Sequence, residues 1–418
     1  MDRNSFDLQP LLNDNNDSKI RRPHHTKRLF RRTSGTFSSM RRYRWLMLAL
    51  IFMLILTGFV LIYHCPENYC FIQKPTYTIA PPPAPLQIDI NFVPYDTIQH
   101  DNFEFNINGS DVMVFLHIQK TGGTTFGKHL VEDIDLDSPC ACIRKPKKKR
   151  KKKKNHHRNY RDSDRPKRKL KCDCFRPNGQ ASNWLFSRYS TGWKCGLHPD
   201  WTELTECVDG YLNSVEKLDQ RRYFYITFLR HPVGRYLSEF RHVQRGATWK
   251  TSLHKCNGKP ATREELPPCY DDTESEDWFG VELPEFMNCS SNLATNRQTR
   301  MLADLKLVNC YDTTTMSSKA RDLIMLNSAK TNLRKMAFFG LTEKQHESQL
   351  LFQHTFDLQF KVPFIQFNET TSSKEKHELD QDTIDRITEM NYLDMELYEF
   401  AKDLLEQRIQ DLHTMSAD

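Results

Sequence analysis

Hydrophobic positions along the chain fall into three kinds of pattern. The first is an unbroken run between Trp45 and Tyr63, L-M-L-A-L-I-F-M-L-I-L-T-G-F-V-L-I, free of charge and just long enough to cross a bilayer as a helix. The second is an apolar run of strand length that gives way to a polar turn and then to apolar residues at helical spacing. It occurs at Val112 to Leu116 with Phe126, Leu130 and Val131, and again at Phe224 to Leu229 with Val233, Tyr236, Leu237 and Phe240. A third copy is Met336 to Leu341 with Leu350, Leu351 and Phe352, and a last short strand is read at Pro363 to Phe367. The third pattern is amphipathic: from Thr383 to Leu412, Ile384, Ile387, Leu397, Phe400 and Leu404 recur among charges, as one helix packed on the domain would require. Strands alternating with helices predict an α/β fold built on a parallel sheet flanked by helices.

The unbroken run begins too far from the start, and lacks the small-residue cleavage site, to be a signal peptide, so it is read as a retained anchor. Residues 1–44 carry eleven Lys and Arg against four Asp, whereas residues 64–90 hold only Lys74, Glu67 and Asp89. The charge asymmetry places the N-terminus in the cytosol. The expected organisation is a cytosolic tail at 1–44, an anchor at 45–63, a Pro-rich stem at 64–101 and a folded domain at 102–412, as one elaborated α/β domain or two smaller ones. All twelve cysteines fall beyond the anchor, as a disulfide framework in an oxidising compartment requires. The sequons at Asn108, Asn288 and Asn368 lie on the same side.

The net charge of +7 is misleading. The tail is strongly basic, and residues 145–171 carry sixteen Lys and Arg against two Asp, so the remainder is acidic. An anion site in the folded domain must therefore be a local constellation. The basic run is read as a disordered insertion, because so dense a charge cannot pack. Its place beyond the anchor argues against nucleic acid as its partner. Cys140-Ala141-Cys142 and Cys172-Asp173-Cys174 bracket it, and their one-residue gaps favour disulfides over a zinc site completed by His156 and His157.

H-I-Q-K-T-G-G-T-T, His117 to Thr125, stands between a strand and a helix, where backbone N–H groups favour an anion. Gly122 and Gly123 allow close approach, Lys120 supplies a point charge, and Thr121, Thr124 and Thr125 add hydroxyls. In a nucleoside triphosphatase the Lys follows the last Gly; here it precedes both, which argues against that class. The alternative is an ordinary Gly-containing turn with a solvated Lys. Arg230, at the end of the second strand, and Ser238, on the helix after it, form a second candidate phosphate site. Two anion sites at the ends of neighbouring parallel strands suit a nucleotide phosphorylated at both ends.

These segments resemble the heparan sulfate 6-O-sulfotransferases. The matching strings are F-L-H-I-Q-K-T-G-G-T-T-F-G from Phe115, W-L-F-S-R-Y-S-T-G-W-K-C-G-L-H-P-D-W from Trp184, R-Y-L-S-E-F-R-H-V-Q-R-G-A-T-W-K-T-S-L-H from Arg235, N-R-Q-T-R-M-L-A-D-L from Asn296 and M-A-F-F-G-L-T-E from Met336. The resemblance implies a sulfotransferase-type, P-loop-like nucleotide-binding fold using 3′-phosphoadenylyl sulfate, with no metal, in a type II protein of the Golgi membrane. It implies that His117, Ile118, Gln119, Lys120, Thr121, Gly122, Gly123, Thr124 and Thr125 line the 5′-phosphosulfate site, and that Arg230 and Ser238 hold the 3′-phosphate. Ile365, Gln366, Phe367, Thr371 and Ser372 match positions that close over the nucleotide. Lys171, Arg188, Trp193, His242 and Trp249 match glycan-contacting positions, and His198 matches the catalytic base. The chain departs from the family pattern at His231, where Asp is usual, and in the basic insertion.

His198 suits proton removal from an acceptor hydroxyl and Lys120 suits a clamp on the leaving phosphate. Trp193 and Trp201 would keep the imidazole neutral at mildly acidic pH. His242, one helical turn beyond Ser238, is the rival base. Three other functions stay open: sulfation of another position or glycan, a non-catalytic heparan sulfate lectin, and a nucleic-acid binder led by the lysine run.

Overall fold

The computed structural model describes residues 45, 47–56, 91–100, 104–146, 168–179, 181–216, 218, 220–248, 252–271, 277–366 and 378–415. The chain divides into two units, Met1–Ile79 and Ala80–Asp418. In the first, Trp45 and residues 47–56 are helical and exposed. Among the described residues no helix is long and apolar enough to cross a membrane. Residues 57–63 of the expected anchor lie outside the described residues, as do the expected cytosolic tail at 1–44 and most of the expected stem.

In the second unit the strands are β1 (Asp111–Leu116), β2 (Ala141–Pro146), β3 (Arg168–Asp173), β4 (Leu185–Phe186), β5 (Arg222–Leu229), β6 (Lys255–Cys256), β7 (Lys259–Pro260) and β8 (Phe338–Leu341). The helices are α1 (Tyr95–His100), α2 (Gly123–Lys128), α3 (Trp201–Val215), α4 (Pro232–Gln244), α5 (Leu283–Asn288), α6 (Arg297–Leu302), α7 (Ser318–Lys335), α8 (Gln345–Phe356), α9 (Gln381–Met390) and α10 (Tyr392–Met415). The central sheet is parallel, in the order β4-β1-β5-β8. Every residue of β1 and all but the first of β5 are buried. Strands covered on both faces read as continuous apolar runs rather than alternating ones, which is the pattern the sequence shows. Register is pinned at the start of β1 and β5, where Arg222 donates Nε and Nη2 to the two carboxylate oxygens of Asp111 at 2.7 and 2.8 Å.

Several boundaries differ from expectation. The folded domain starts by Asn91 rather than near Asn102. Val93 N donates to Tyr223 O at 3.0 Å, Tyr223 N donates to Asn91 O at 2.7 Å, and the Arg408 guanidinium lies 3.5 Å from the Tyr95 ring centroid. The terminal helix is two helices, because the Asn391 side chain donates to Ile387 O at 2.8 Å and accepts from Asn296 N at 3.1 Å, turning the chain between α9 and α10. Residues 363–366 form no strand; Phe364 N is satisfied by the Gln349 side chain instead. Both ends of the basic insertion are ordered as an antiparallel hairpin, β2 with β3, closed by the disulfides Cys140–Cys174 and Cys142–Cys172. Those bonds exclude the zinc reading. Residues 147–167 lie outside the described residues. Three more disulfides, Cys195–Cys207, Cys256–Cys310 and Cys269–Cys289, tie loops to the domain.

Candidate active site

The strand ends of β1, β5 and β8 converge on one crevice. After β1 the chain turns through Lys120 and Gly122, both with left-handed φ, at 68° and 79°. A side chain is tolerated poorly at 122 for that reason. At Gly123 the restriction is space: a Cβ would sit 2.4 Å from Cδ2 of His117. The turn feeds α2, which continues without a break as a π-helical turn over His129–Asp133. Thr342, just past β8, braces the loop by donating to Thr121 O at 2.8 Å. Thr124 and Thr125 are exposed, whereas the Thr121 hydroxyl is buried and donates to Ile118 O at 3.2 Å. Thr121 therefore shapes the loop and does not offer its hydroxyl to an anion.

Arg230 leaves the end of β5 and donates Nη1 to Lys120 O at 3.3 Å. Its backbone is clamped on both sides by Gln298 of α6, whose Oε1 accepts from Arg230 N and whose Nε2 donates to Arg230 O, each at 2.9 Å. Ser238 lies half-buried on α4. Burial pushes the Lys120 ammonium down; Arg245 and Arg230 push it further and Glu239 opposes them. Burial likewise lowers Arg230. A partly buried ammonium depressed by two neighbouring guanidiniums marks a site that favours an anion. Gln366 reaches the same crevice edge, its Oε1 accepting from Gln345 N at 3.1 Å, and Ile365 beside it is exposed. Phe367, Thr371, Ser372, Asn368 and Trp249 lie outside the described residues.

On the β4 side, four rings are gathered. Phe115 stacks on His117 at 5.3 Å, and His117, Trp193 and His198 meet with His198 4.6 Å from each of the other two. Arg188 covers Trp193 at 5.3 Å and donates Nη1 to Thr124 Oγ1 at 3.1 Å, linking the aromatic cluster to the anion loop. His198 Nδ1 is 3.0 Å from His117 O. A carbonyl oxygen only accepts, so Nδ1 carries the proton and Nε2 is the basic nitrogen of the neutral ring. Burial lowers His198 to about 4, against a raising contribution from the His117 carbonyl. His117 is pushed well below the ordinary range by burial, then by His198 and Arg188, and its buried Nδ1 has no hydrogen-bond partner among the described residues. His242 on α4 is lowered to about 4 by burial, Lys120 and Arg245. Lys171 stands apart on β3, exposed, with its ammonium 3.2 Å from Asp173.

Beneath the cations runs a buried charged layer that the sequence did not single out. Glu239 of α4 accepts from Arg297 Nε at 2.8 Å and from Arg235 Nη1 at 2.5 Å. Burial pushes its carboxylate up, but Arg297 and Arg235 more than offset this and hold it at about 2. Asp394 of α10 accepts from Thr299 N at 2.7 Å and from Gln298 N at 3.1 Å, fixing the start of α6. The signal available was the string R-Q-T-R, Arg297 to Arg300, four consecutive polar residues that are all buried.

The profile of the sulfotransferase family matches residues 103–179 and 198–401. Over 373 residues, 88% of this chain and 84% of the relative, the sequence is 50% identical to the heparan-sulfate 6-O-sulfotransferase 1-B of Danio rerio. It is 54% identical over 312 residues to the human heparan-sulfate 6-O-sulfotransferase 1, covering 74% and 69% of the two chains. The heparan-sulfate 6-O-sulfotransferase 2 of Gallus gallus is 47% identical over 376 residues, 87% and 86%. The chain belongs to the sulfotransferase family, among the heparan-sulfate 6-O-sulfotransferases. A sulfotransferase implies 3′-phosphoadenylyl sulfate as donor, and the Lys120 ammonium, pushed down by Arg245 and Arg230 beside it, fits its anionic groups. His231, where the family usually has Asp, starts α4 without capping it by its side chain; its backbone N–H donates to Glu343 at 3.0 Å and its ring meets Tyr398 edge-on at 5.5 Å.

Proposed function

We propose that the chain transfers a sulfuryl group from 3′-phosphoadenylyl sulfate to the 6-hydroxyl of glucosamine residues in heparan sulfate, with His198 as general base. The observation that carries this reading is the His198 ring, held in the tautomer that leaves Nε2 basic by the carbonyl of His117, which opens the loop bearing Lys120, to whose carbonyl Arg230 donates. The donor supplies the sulfuryl group when bound. Lys120 and the loop of residues 117–125 hold its 5′ end, and Arg230 with Ser238 holds the 3′-phosphate. His198 Nε2 accepts the proton of the attacking hydroxyl, in a neutral ring whose low pKa keeps it unprotonated at mildly acidic pH. Arg188, Trp193 and His242 orient the glycan, whose sugar faces suit an aromatic wall beside cations. Trp249, Lys171 and the closing residues Ile365, Gln366, Phe367, Thr371 and Ser372 complete the assignment.

Names of relatives and the aromatic wall at Trp193 support heparan sulfate over another glycan. A lectin without activity would need neither the His198 tautomer nor the cation cluster. The apolar run between Trp45 and Tyr63 and its flanking charge support a type II anchor in the Golgi membrane, with the C-terminal domain lumenal and a stem leading to it. The five disulfides among the described residues agree with an oxidising lumen. The exposed Asn108 and Asn288, and Asn368, are the proposed glycan acceptors. Incubating the full chain with heparan sulfate and labelled donor, followed by disaccharide analysis, should place label on the 6-oxygen of glucosamine. Label confined to other positions would overturn the regiochemistry. An epitope after Asp418 that is digested in sealed Golgi vesicles would overturn the topology.

A further inference from the structure

His198 has a left-handed backbone, φ 53°, and is followed by Pro199, which restricts the residue before it. A non-glycine residue keeps such a conformation only where its surroundings over-determine it. Three elements converge on the turn that carries it. Cys195 is bonded to Cys207 of α3, and Leu197 O accepts from Ser252 Oγ at 2.9 Å. Two residues past His198, Asp200 caps α3: its Oδ1 accepts from Glu203 N at 3.0 Å, while Glu203 Oε2 accepts from Asp200 N at 3.1 Å. Tyr311 then donates its hydroxyl to the other Asp200 oxygen at 3.2 Å, and Arg300 stands 3.8 Å from the same oxygen. Glu203 Oε1 accepts from Lys255 N at 3.0 Å, and His254 Nδ1 lies 3.4 Å from the Tyr311 hydroxyl. Asp200, Glu203 and Tyr311 are all buried.

A capping box needs one carboxylate at the helix third position and any short polar side chain at the cap. Burying a second carboxylate beside the first, and spending a tyrosine hydroxyl and an arginine on it, exceeds what starting a helix requires. Burial pushes both carboxyls up, Glu203 with Asp200 as the next contributor, while Arg300 and the backbone donors oppose the rise. All four carboxylate oxygens of the pair have a donor, so the network favours one arrangement, and its rigid end is the peptide that follows the histidine turn.

We propose that Tyr311, Asp200 and Glu203 are positioning residues for the general base: through the Asp200 cap they fix the His198 turn, and with it the Nδ1 contact to His117 O, without touching donor or acceptor. The proposal rests on His198 being the base. None of the three belongs to the nucleotide or glycan contacts assigned above.

The test is a double-mutant cycle in the full chain. Tyr311→Phe removes only the hydroxyl and should lower turnover about five- to tenfold, since a base displaced by a fraction of an ångström loses rate steeply. Affinity for the desulfated nucleotide should stay within about twofold. In the His198→Ala background the same change should leave the residual rate within about twofold, because the residue it serves is gone. Asp200→Asn, which keeps the cap and an acceptor, should retain most of the turnover that Asp200→Ala loses. Equal losses from Tyr311→Phe in both backgrounds, or no loss in the parent chain, would overturn the proposal. A parent chain that His198→Ala leaves fully active would instead overturn the base assignment.

Discussion

Truncating Arg230 to Ala should weaken binding of the desulfated nucleotide, 3′-phosphoadenosine 5′-phosphate, with little effect on folding. Its backbone is held on both sides by Gln298, so the strand end keeps its place when the guanidinium is removed. The contact to Lys120 O is long, 3.3 Å, and contributes little to stability; the attraction to Glu343 goes with the guanidinium, and the melting temperature reads that loss. Against a phosphate the guanidinium is different: it is partly desolvated, cannot give up its proton, and is offered to the anion at the end of a rigid strand. A charge-assisted hydrogen bond of this kind contributes about 1.5–3 kcal/mol, which corresponds to roughly tenfold to more than a hundredfold in the dissociation constant. Calorimetric titration of the full chain gives that constant directly, and the melting temperature provides the control. Because donor and desulfated product carry the same 3′-phosphate, the donor Michaelis constant should rise in parallel. An unchanged dissociation constant would remove Arg230 from the nucleotide site and with it the two-ended reading of the crevice.

Gly123→Ala places a methyl group 2.4 Å from a His117 ring atom, so turnover should fall sharply, with about 1–3 kcal/mol of strain visible as a lowered melting temperature. The pH profile follows from the direction of the His198 shift. A base whose pKa is pushed down to about 4 stays neutral above it, so turnover should be flat from about pH 5.5 to 7.5 and fall only as pH nears 4; an acid limb centred on the ordinary histidine range near 6.5 would contradict the burial argument. Replacing residues 147–167 by a short neutral link, with both hairpin disulfides kept, should raise the heparan sulfate Michaelis constant at low salt and leave turnover unchanged. A constant unaltered from low to moderate salt would show the basic run to be without a role in glycan capture.

The parts of the fold that could be read from the sequence were those where local pattern and tertiary environment agree. β1, β5 and β8 are buried on both faces, so their residues had to be continuously apolar, and the helix after β8 buries one face and exposes the other. β4 escaped notice because two residues cannot display a period. The split between α9 and α10 depends on a single side chain, Asn391, whose partner Asn296 is remote in sequence. Residues 91–100 were assigned to the stem by their Pro-rich neighbours, because the Arg408 guanidinium that covers Tyr95 comes from the far end of the chain. In the site, Lys120 and Arg230 could be read because they stand at strand ends beside polar, glycine-containing or proline-marked turns, and His198 because its string resembles a family. Glu239, Arg297 and Gln298 could not, since a buried ion pair and a solvated one have the same residue types and spacing.

His198 as the proton acceptor is tested most directly by single-turnover rates of His198→Ala and His242→Ala, each with saturating donor and heparan sulfate. Removal of a positioned base typically lowers the rate by about a hundredfold to ten thousandfold. That loss is expected for His198→Ala, with affinity for the desulfated nucleotide near that of the parent chain, while His242→Ala should act chiefly on the acceptor Michaelis constant. A His198→Ala protein that retains most of its rate while His242→Ala abolishes it would contradict the assignment and move the base to His242.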